Sequence, residues 1–181
     1  MQVLFLAVGL IMTGHAVLTP LLMVLIMVTG DFLVMSLTTY NVRASSMPNA
    51  WKIGNLTIAG IIMGVDELIF CASVMGFGLY RLGPGIETLR TLAFIVIVFG
   101  NQATTYTNRE RRRLWASRPC FWVVVSSVGD ILVATLLAIE GIAMKPLPVL
   151  LAGSALAAAI AFAFLLDLVK VPLIARPQLA E

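Results

Sequence analysis

Long apolar runs separated by short polar turns constrain this chain more than any other feature of its sequence. A helix needs about 20 mostly apolar residues to cross the roughly 30 Å hydrocarbon core of a bilayer. Inside lipid every backbone N–H and C=O must pair internally, so spanning structures are helices or closed barrels. The chain contains no alternating ten-residue strands, and it therefore predicts an all-α, polytopic helical bundle.

Turn residues divide the apolar sequence into about six segments. Gly, Pro, Ser and Asn cluster in TGHAVLTP, SSMPNA, RLGPG and KPLP, which are typical of loops. The first segment is short, because thirteen residues at 1.5 Å each span about 20 Å. It also lacks the basic start of a signal peptide, so we interpret it as the end of a longer helix. The predicted helices cover residues 1–13, 17–38, 53–80, 91–106, 121–140 and 148–168.

The composition supports lipid as the main solvent and excludes several functional classes. Charged residues make up 12% of the chain, against about 25% in a soluble domain. The net charge of +3 is small and scattered, which argues against a nucleic-acid partner. There is no metal-spaced Cys/His cluster, phosphate loop or catalytic triad, so no catalytic residue is predicted. Cys71 and Cys120 fall in different segments and are interpreted as free thiols.

The basic residues are distributed unevenly between the two sides of the predicted bundle. Nine of the twelve follow the second, fourth and sixth segments, and Arg81, Arg90 and Lys145 lie on the other side. By the positive-inside rule, the side that carries these nine basic residues is cytoplasmic. This predicts a multi-pass membrane protein with a cytoplasmic C-terminus. The nine residues are Arg43, Lys52, Arg109, Arg111, Arg112, Arg113, Arg118, Lys170 and Arg176.

Carboxylates inside the predicted spans are candidate functional groups. A central Asp costs about 2.5–3.5 kcal/mol, so each must face the bundle interior, find a partner or be protonated. Asp66 and Glu67 are adjacent and point about 100° apart, so at least one is expected to face another helix. For this pair, ion binding and structural hydrogen bonding remain equally open. The acids within spans are Asp31, Asp66, Glu67, Asp130 and Asp167.

Two of these acids have possible structural partners close to them in the sequence. Asp167 precedes Lys170 by three residues on one helical face, which favours a local ion pair. Asp130 follows Ser126 and Ser127 by about one turn. The two hydroxyls are therefore expected to satisfy the Asp130 carboxyl locally.

Asp31 has the setting that most favours ion binding. Gly30 precedes it, and glycine can open the helical hydrogen-bond ladder. A helix broken beside a carboxylate near the midplane is a recurring ion site in transporters. Asn101 and Gln102 lie at similar depth, and such an amide can hydrogen-bond a carboxyl across a helix interface. The predicted ion-binding residues are Asp31, Gln102, Asp66, Glu67 and Asp130.

In one stretch of the chain GHAVLTPLLMVLIMVTGD leads to LTTYNVRASSMPNAWKIGNLTIAG, where Arg43, Pro48 and Trp51 form the pattern Arg/Lys-x-x-x-x-Pro-x-x-Trp. This stretch resembles the second half of the membrane domain of P-type cation-transporting ATPases, in which the Pro-Trp segment is cytoplasmic. FGNQATTYTNRERRRLW is similar to the end of the family's eighth helix. The resemblance covers nearly all of residues 1–181, from part of the fifth to the tenth membrane helix. It is strongest to the plasma-membrane proton pumps and their bacterial relatives.

The resemblance implies a role for Asp31 and a set of missing parts. The family's sixth-helix carboxylate is the ion site, and this role falls on Asp31. Gly30 stands where relatives often carry Asn, so a metal cation such as Mg²⁺ is the alternative to a proton. The Asp-Lys-Thr-Gly-Thr phosphorylation loop, the nucleotide-binding and actuator domains and the first four helices are absent from residues 1–181. We therefore expect no ATP hydrolysis by this chain alone.

The expected partners follow from the same resemblance. They are the lipid bilayer and the N-terminal, catalytic part of the pump, to which ATP and Mg²⁺ would belong as cofactors. Two alternatives of other classes stay open. One is a stand-alone structural or interaction protein of the membrane, including a pump remnant. The other is a small proton-coupled porter using Asp31 with Asp66 or Glu67, although porters usually show internal repeats and this sequence shows none.

Overall fold

The computed structural model describes residues 2–38, 53–83, 85–109, 120–142 and 144–174, and these contain six α-helices. No strand occurs within these ranges, so the predicted all-α bundle with a short first helix is confirmed. The segment with Arg43, Pro48 and Trp51 lies outside the described residues. The helices are α1 (Gln2–Thr13), α2 (Pro20–Thr38), α3 (Ile53–Phe77), α4 (Ile86–Arg109), α5 (Phe121–Glu140) and α6 (Val149–Ile174).

Apolar side chains cover the outside of the bundle as well as its core. Val24 and Phe32 of α2 and Leu132 and Leu136 of α5 are all exposed. A helix that is hydrophobic all round suits a lipid environment rather than water. In the described part of the chain, four helical stretches are long and apolar enough to cross a membrane. They are Gly60–Tyr80, Ile86–Thr107, Phe121–Glu140 and Val149–Leu168.

Helices α3 and α4 extend further than their apolar patterns predict. The Gly85 carbonyl accepts the N–H groups of Thr88 and Leu89 at 3.0 and 3.1 Å, which starts α4 five residues before the predicted position of 91. Helix α3 continues as a π-helical turn over Gly78–Leu82 and stops at Gly83, whose φ is +50°. Hydropathy missed these ends because they carry polar residues, such as Glu87 and Arg90 at the start of α4.

Helix α4 is the centre of the bundle, and residues 91–100 are buried on every side. It packs against α2, α3, α5 and α6. Helix α3 approaches it at Gly100, where an added Cβ would lie 3.3 Å from Phe70 and 3.4 Å from the Cys71 sulfur. The buried stripe of α6 that faces the bundle consists largely of alanines, which lets membrane helices approach closely. These alanines are Ala152, Ala155 and Ala159.

Two connecting loops are held at the same end of the bundle by the first turns of α4. Arg90 Nε donates to the Ala16 carbonyl at 3.0 Å, and Thr91 Oγ1 donates to the Lys145 carbonyl at 2.8 Å. The loops after α1 and after α5 therefore lie on one side, as the alternation of predicted segments requires. Cys71 and Cys120 are both free thiols, as predicted.

Gly141→Ala is expected to destabilise the fold. Gly141 ends α5 with φ +71°, and an added Cβ would lie 2.8 Å from Pro146 Cδ and 3.1 Å from the Met144 carbonyl oxygen. The left-handed conformation alone costs a side chain about 1–2 kcal/mol. Denaturation in detergent micelles measures the loss. Gly129→Ala on the same helix is the matched control, because its Cβ would meet open space, and equal losses in the two variants would contradict the prediction.

Candidate functional site

A buried hydrogen-bond network joins α4 to α5. Gln102 Nε2 donates to Asp130 Oδ2, and Ser127 Oγ donates to Gln102 Oε1 at 2.8 Å. All three residues are buried: Gln102 is 5% exposed, Asp130 9% and Ser127 3%. An α4 amide therefore bonds a carboxyl across a helix interface, and that carboxyl belongs to Asp130 rather than to Asp31.

The expectation that serine hydroxyls satisfy Asp130 locally is wrong. Ser127 donates to Gln102 on α4, and Ser126 Oγ donates at 3.2 Å to the backbone carbonyl of Phe32 on α2. The Gln102 amide offers an acceptor and a donor side by side, so it pairs with two α5 residues one turn apart. This cross-helix pairing replaces the local one and leaves Ser126 directed to a third helix.

Helices α2 and α4 approach each other beside the candidate ion carboxylate. An added Cβ at Gly30 would lie 3.4 Å from Asn101 Nδ2. The expected opening of the helix at Gly30 is absent, since α2 runs without interruption from Pro20 to Thr38. Gly30 therefore lies in contact distance of Asn101 within an unbroken helix. The segment of α2 around Asp31 thus contacts α4 at Asn101 and α5 at Ser126, beside the Gln102–Asp130 pair, and we call this meeting of the three helices the polar junction.

The Asp31 side chain lies on the outer surface of the described bundle and forms no hydrogen bond with any described residue. It is the twelfth residue of the nineteen in α2, so it lies near the middle of an apolar helix. A carboxylate in that position is costly in lipid unless it is protonated or covered by polar groups. The Asp31 surface of α2 therefore needs a proton, a cation or a further polar partner.

Asp66 and Glu67 lie apart from the polar junction. Glu67 is buried, with 8% exposure, and Asp66 is half-buried. Helix α3 contacts α4 at Gly100, and Gln102 is about 200° further round that helix. No contact joins α3 to α5 among the described residues. The five predicted ion-binding residues therefore divide between two faces of α4.

Asp167 is buried at the far end of α6, with 4% exposure. Its predicted ion pair with Lys170 concerns a side chain outside the described residues. Among the described residues, no group of three or more His, Cys, Asp or Glu side chains could hold a metal ion. The exposed Asp31 carboxyl can bind a proton or one side of a cation.

Sequence reasoning missed one member of the polar junction. Ser126 was noticed only as a local partner for Asp130, whereas its hydroxyl reaches α2 across the bundle. The available signal was the Ser-Ser pair itself, because adjacent hydroxyls on a helix point about 100° apart and can face two different neighbours.

Comparison with known proteins finds similarity to a cation-transporting ATPase. No protein-family model matches the chain. The chain is 24% identical over 147 residues to a protein of Methanocaldococcus jannaschii named "Putative cation-transporting ATPase". The match covers 79% of this chain and 18% of that protein, so the chain spans less than a fifth of its relative's length. With four membrane-length helices among its described residues, the chain is a multi-pass membrane protein.

Proposed function

We propose that these residues form the C-terminal membrane part of a P-type cation pump, in which Asp31 binds the transported ion. The observation that supports the proposal is the polar junction, where the neighbours of Asp31 on α2 contact α4 and α5 beside the buried Gln102–Asp130 pair in an otherwise apolar bundle. The similarity to a protein named as a cation-transporting ATPase supports the same function.

The three residues have different roles in this proposal. Asp130 is engaged by the Gln102 amide, whereas Asp31 has no hydrogen bond to a described residue and can take up an ion. A proton needs a single carboxyl, but metal ions such as Ca²⁺ and Mg²⁺ are held by several oxygens at once. We therefore favour the proton, with a Mg²⁺-type cation as the alternative. Asp66 and Glu67 would act as a second polar group on α3.

The energy source of the pump would lie in sequence beyond these residues. Domains carrying the phosphorylated Asp and the ATP site, on the same polypeptide or a separate one, would drive the membrane part. ATP and Mg²⁺ would bind there. The end of the bundle where α4 finishes at Arg109 would face the cytoplasm of the plasma membrane, together with the C-terminus.

Purification from native membranes tests the proposal. The chain, tagged at its C-terminus in its own cell, is solubilised in mild detergent and incubated with ATP labelled at the γ-phosphate. We expect an acid-stable, hydroxylamine-sensitive acyl phosphate on the tagged polypeptide or on one that purifies with it. An unrelated multi-pass protein with the same tag is the control. A preparation without that label in either polypeptide would overturn the proposal.

A stand-alone structural protein is the second candidate. It is favoured by the Gln102, Ser127 and Asp130 network, which pairs its members within the described bundle and can simply hold helices together. This function predicts that the chain accumulates without a partner and that Asp31→Asn changes no phenotype.

A further inference from the structure

The adjacent residues Ser126 and Ser127 of α5 bond to two different helices. Ser126 Oγ donates to the Phe32 carbonyl of α2 at 3.2 Å, and Ser127 Oγ donates to Gln102 of α4 at 2.8 Å. Both bonds cross between helices, whereas Ser73 and Ser154 donate to carbonyls of their own helices. The α5 pair is therefore placed to link two neighbours rather than to satisfy local backbone.

The two bonds end on groups next to the candidate ion residues. Phe32 directly follows Asp31 in α2, so its carbonyl lies next to Asp31 along the backbone. The Gln102 amide is the group that also holds Asp130. A single turn of α5 thus determines where the Asp31 segment of α2 lies relative to the Gln102–Asp130 pair.

The Phe32 carbonyl can accept the serine bond without losing its place in the helix. In an α-helix this oxygen accepts the N–H of Ser36, four residues later. A carbonyl oxygen has two lone pairs, so a second donor can bind beside the first. Removing the Ser126 hydroxyl leaves the helix bond in place, and we expect the protein to fold while the tether between α5 and α2 is lost.

We propose that Ser126 is a positioning residue for Asp31. Its hydroxyl holds the peptide beside Asp31, and Ser127 sets the same turn of α5 against Gln102. The role in ion binding rests on the proposed function of Asp31. The hydroxyl itself does not contact the transported ion.

Cation dependence of the intact pump tests this role. In Ser126→Ala, the cation concentration for half-maximal activity should rise about threefold to tenfold, the size expected for one hydrogen bond, at unchanged maximal rate. For a proton this is a shift of half-activation to lower pH. Ser126→Thr, which keeps a hydroxyl, should restore the parent value. Ser154→Ala on α6, which removes an exposed local bond, should leave it unchanged.

A second measurement does not depend on pumping. Hydrogen–deuterium exchange of the chain in lipid nanodiscs should be faster over residues 33–36 in Ser126→Ala than in the parent or in Ser154→Ala. Unchanged exchange would overturn the positioning role. If the parent is active and Ser126→Ala leaves its half-saturating cation concentration unchanged, the positioning role is also overturned. The proposed pump function would still stand in that case. A parent without cation-dependent activity would instead overturn the proposed function, and exchange would still decide whether Ser126 positions α2.

Discussion

Asp31→Asn is expected to abolish cation transport by the intact pump, with a loss of about 100-fold or more, as is typical when a group that must transfer a proton is removed. A carboxamide can neither release a proton nor neutralise a bound cation. The substitution preserves shape, and Asp31 has no hydrogen bond to a described residue that folding would lose. The variant should therefore reach the membrane at the parent level. Uptake into proteoliposomes at matched protein content measures the loss.

Glu87→Gln is the matched control for this substitution. Glu87 lies in the first turn of α4, where its exposed side chain pairs with Arg90 at 2.7 Å. An exposed pair of this kind contributes little, about 0.2–1 kcal/mol, so transport and expression should both remain at parent levels. Full transport by Asp31→Asn would remove Asp31 from the ion path and favour the structural function of the chain.

Gln102→Leu is expected to destabilise the bundle by about 1–3 kcal/mol, because it leaves the buried Asp130 carboxyl and Ser127 hydroxyl without their partner. The measurement is unfolding in mixed detergent micelles, followed by helical circular dichroism. In the double variant Gln102→Leu/Asp130→Leu the carboxyl is also gone, and part of the stability should return. Coupling energies between membrane helices average about 0.6 kcal/mol and reach about 1.7, which sets the size of the recovery.

Asn101→Leu controls for the loss of an amide from α4. Asn101 is half-buried beside Gly30 and forms no hydrogen bond with a described residue. We expect its replacement to change the free energy of unfolding by about 0.5 kcal/mol or less, as for substitutions away from special contacts. Equal destabilisation by the two leucine variants would show that the network does not hold α4 to α5.

Together these substitutions separate two uses of polar groups in the membrane. Gln102 and Ser127 are engaged within the bundle, and their loss should reduce stability first. Asp31 lies on the outer surface of the same junction, and its loss should affect transport first. The distinction follows from pairing rather than from residue type, since Asp31 and Asp130 are chemically the same group.

Apolar length and turn residues determined the secondary structure of this protein. The six helices of the described residues follow from the spacing of Gly, Pro and polar turns, because lipid leaves a backbone few other ways to pair its N–H and C=O groups. The sequence also shows that a buried carboxyl such as Asp130 needs a partner, but it favoured the nearby serines over Gln102, which the structure supplies.

The tertiary structure alone decided which way each helix faces. Sequence periodicity places Asp31, Glu67 and Asp130 at known angles on their own helices, but it does not say how each helix is rotated against its neighbours. That rotation depends on packing, as at Gly100 against α3. It separates Glu67 from Asp130 across α4 and leaves Asp31 on the surface of the bundle. It also directs Ser126 to the Phe32 carbonyl, a contact between residues 94 positions apart that no local pattern encodes.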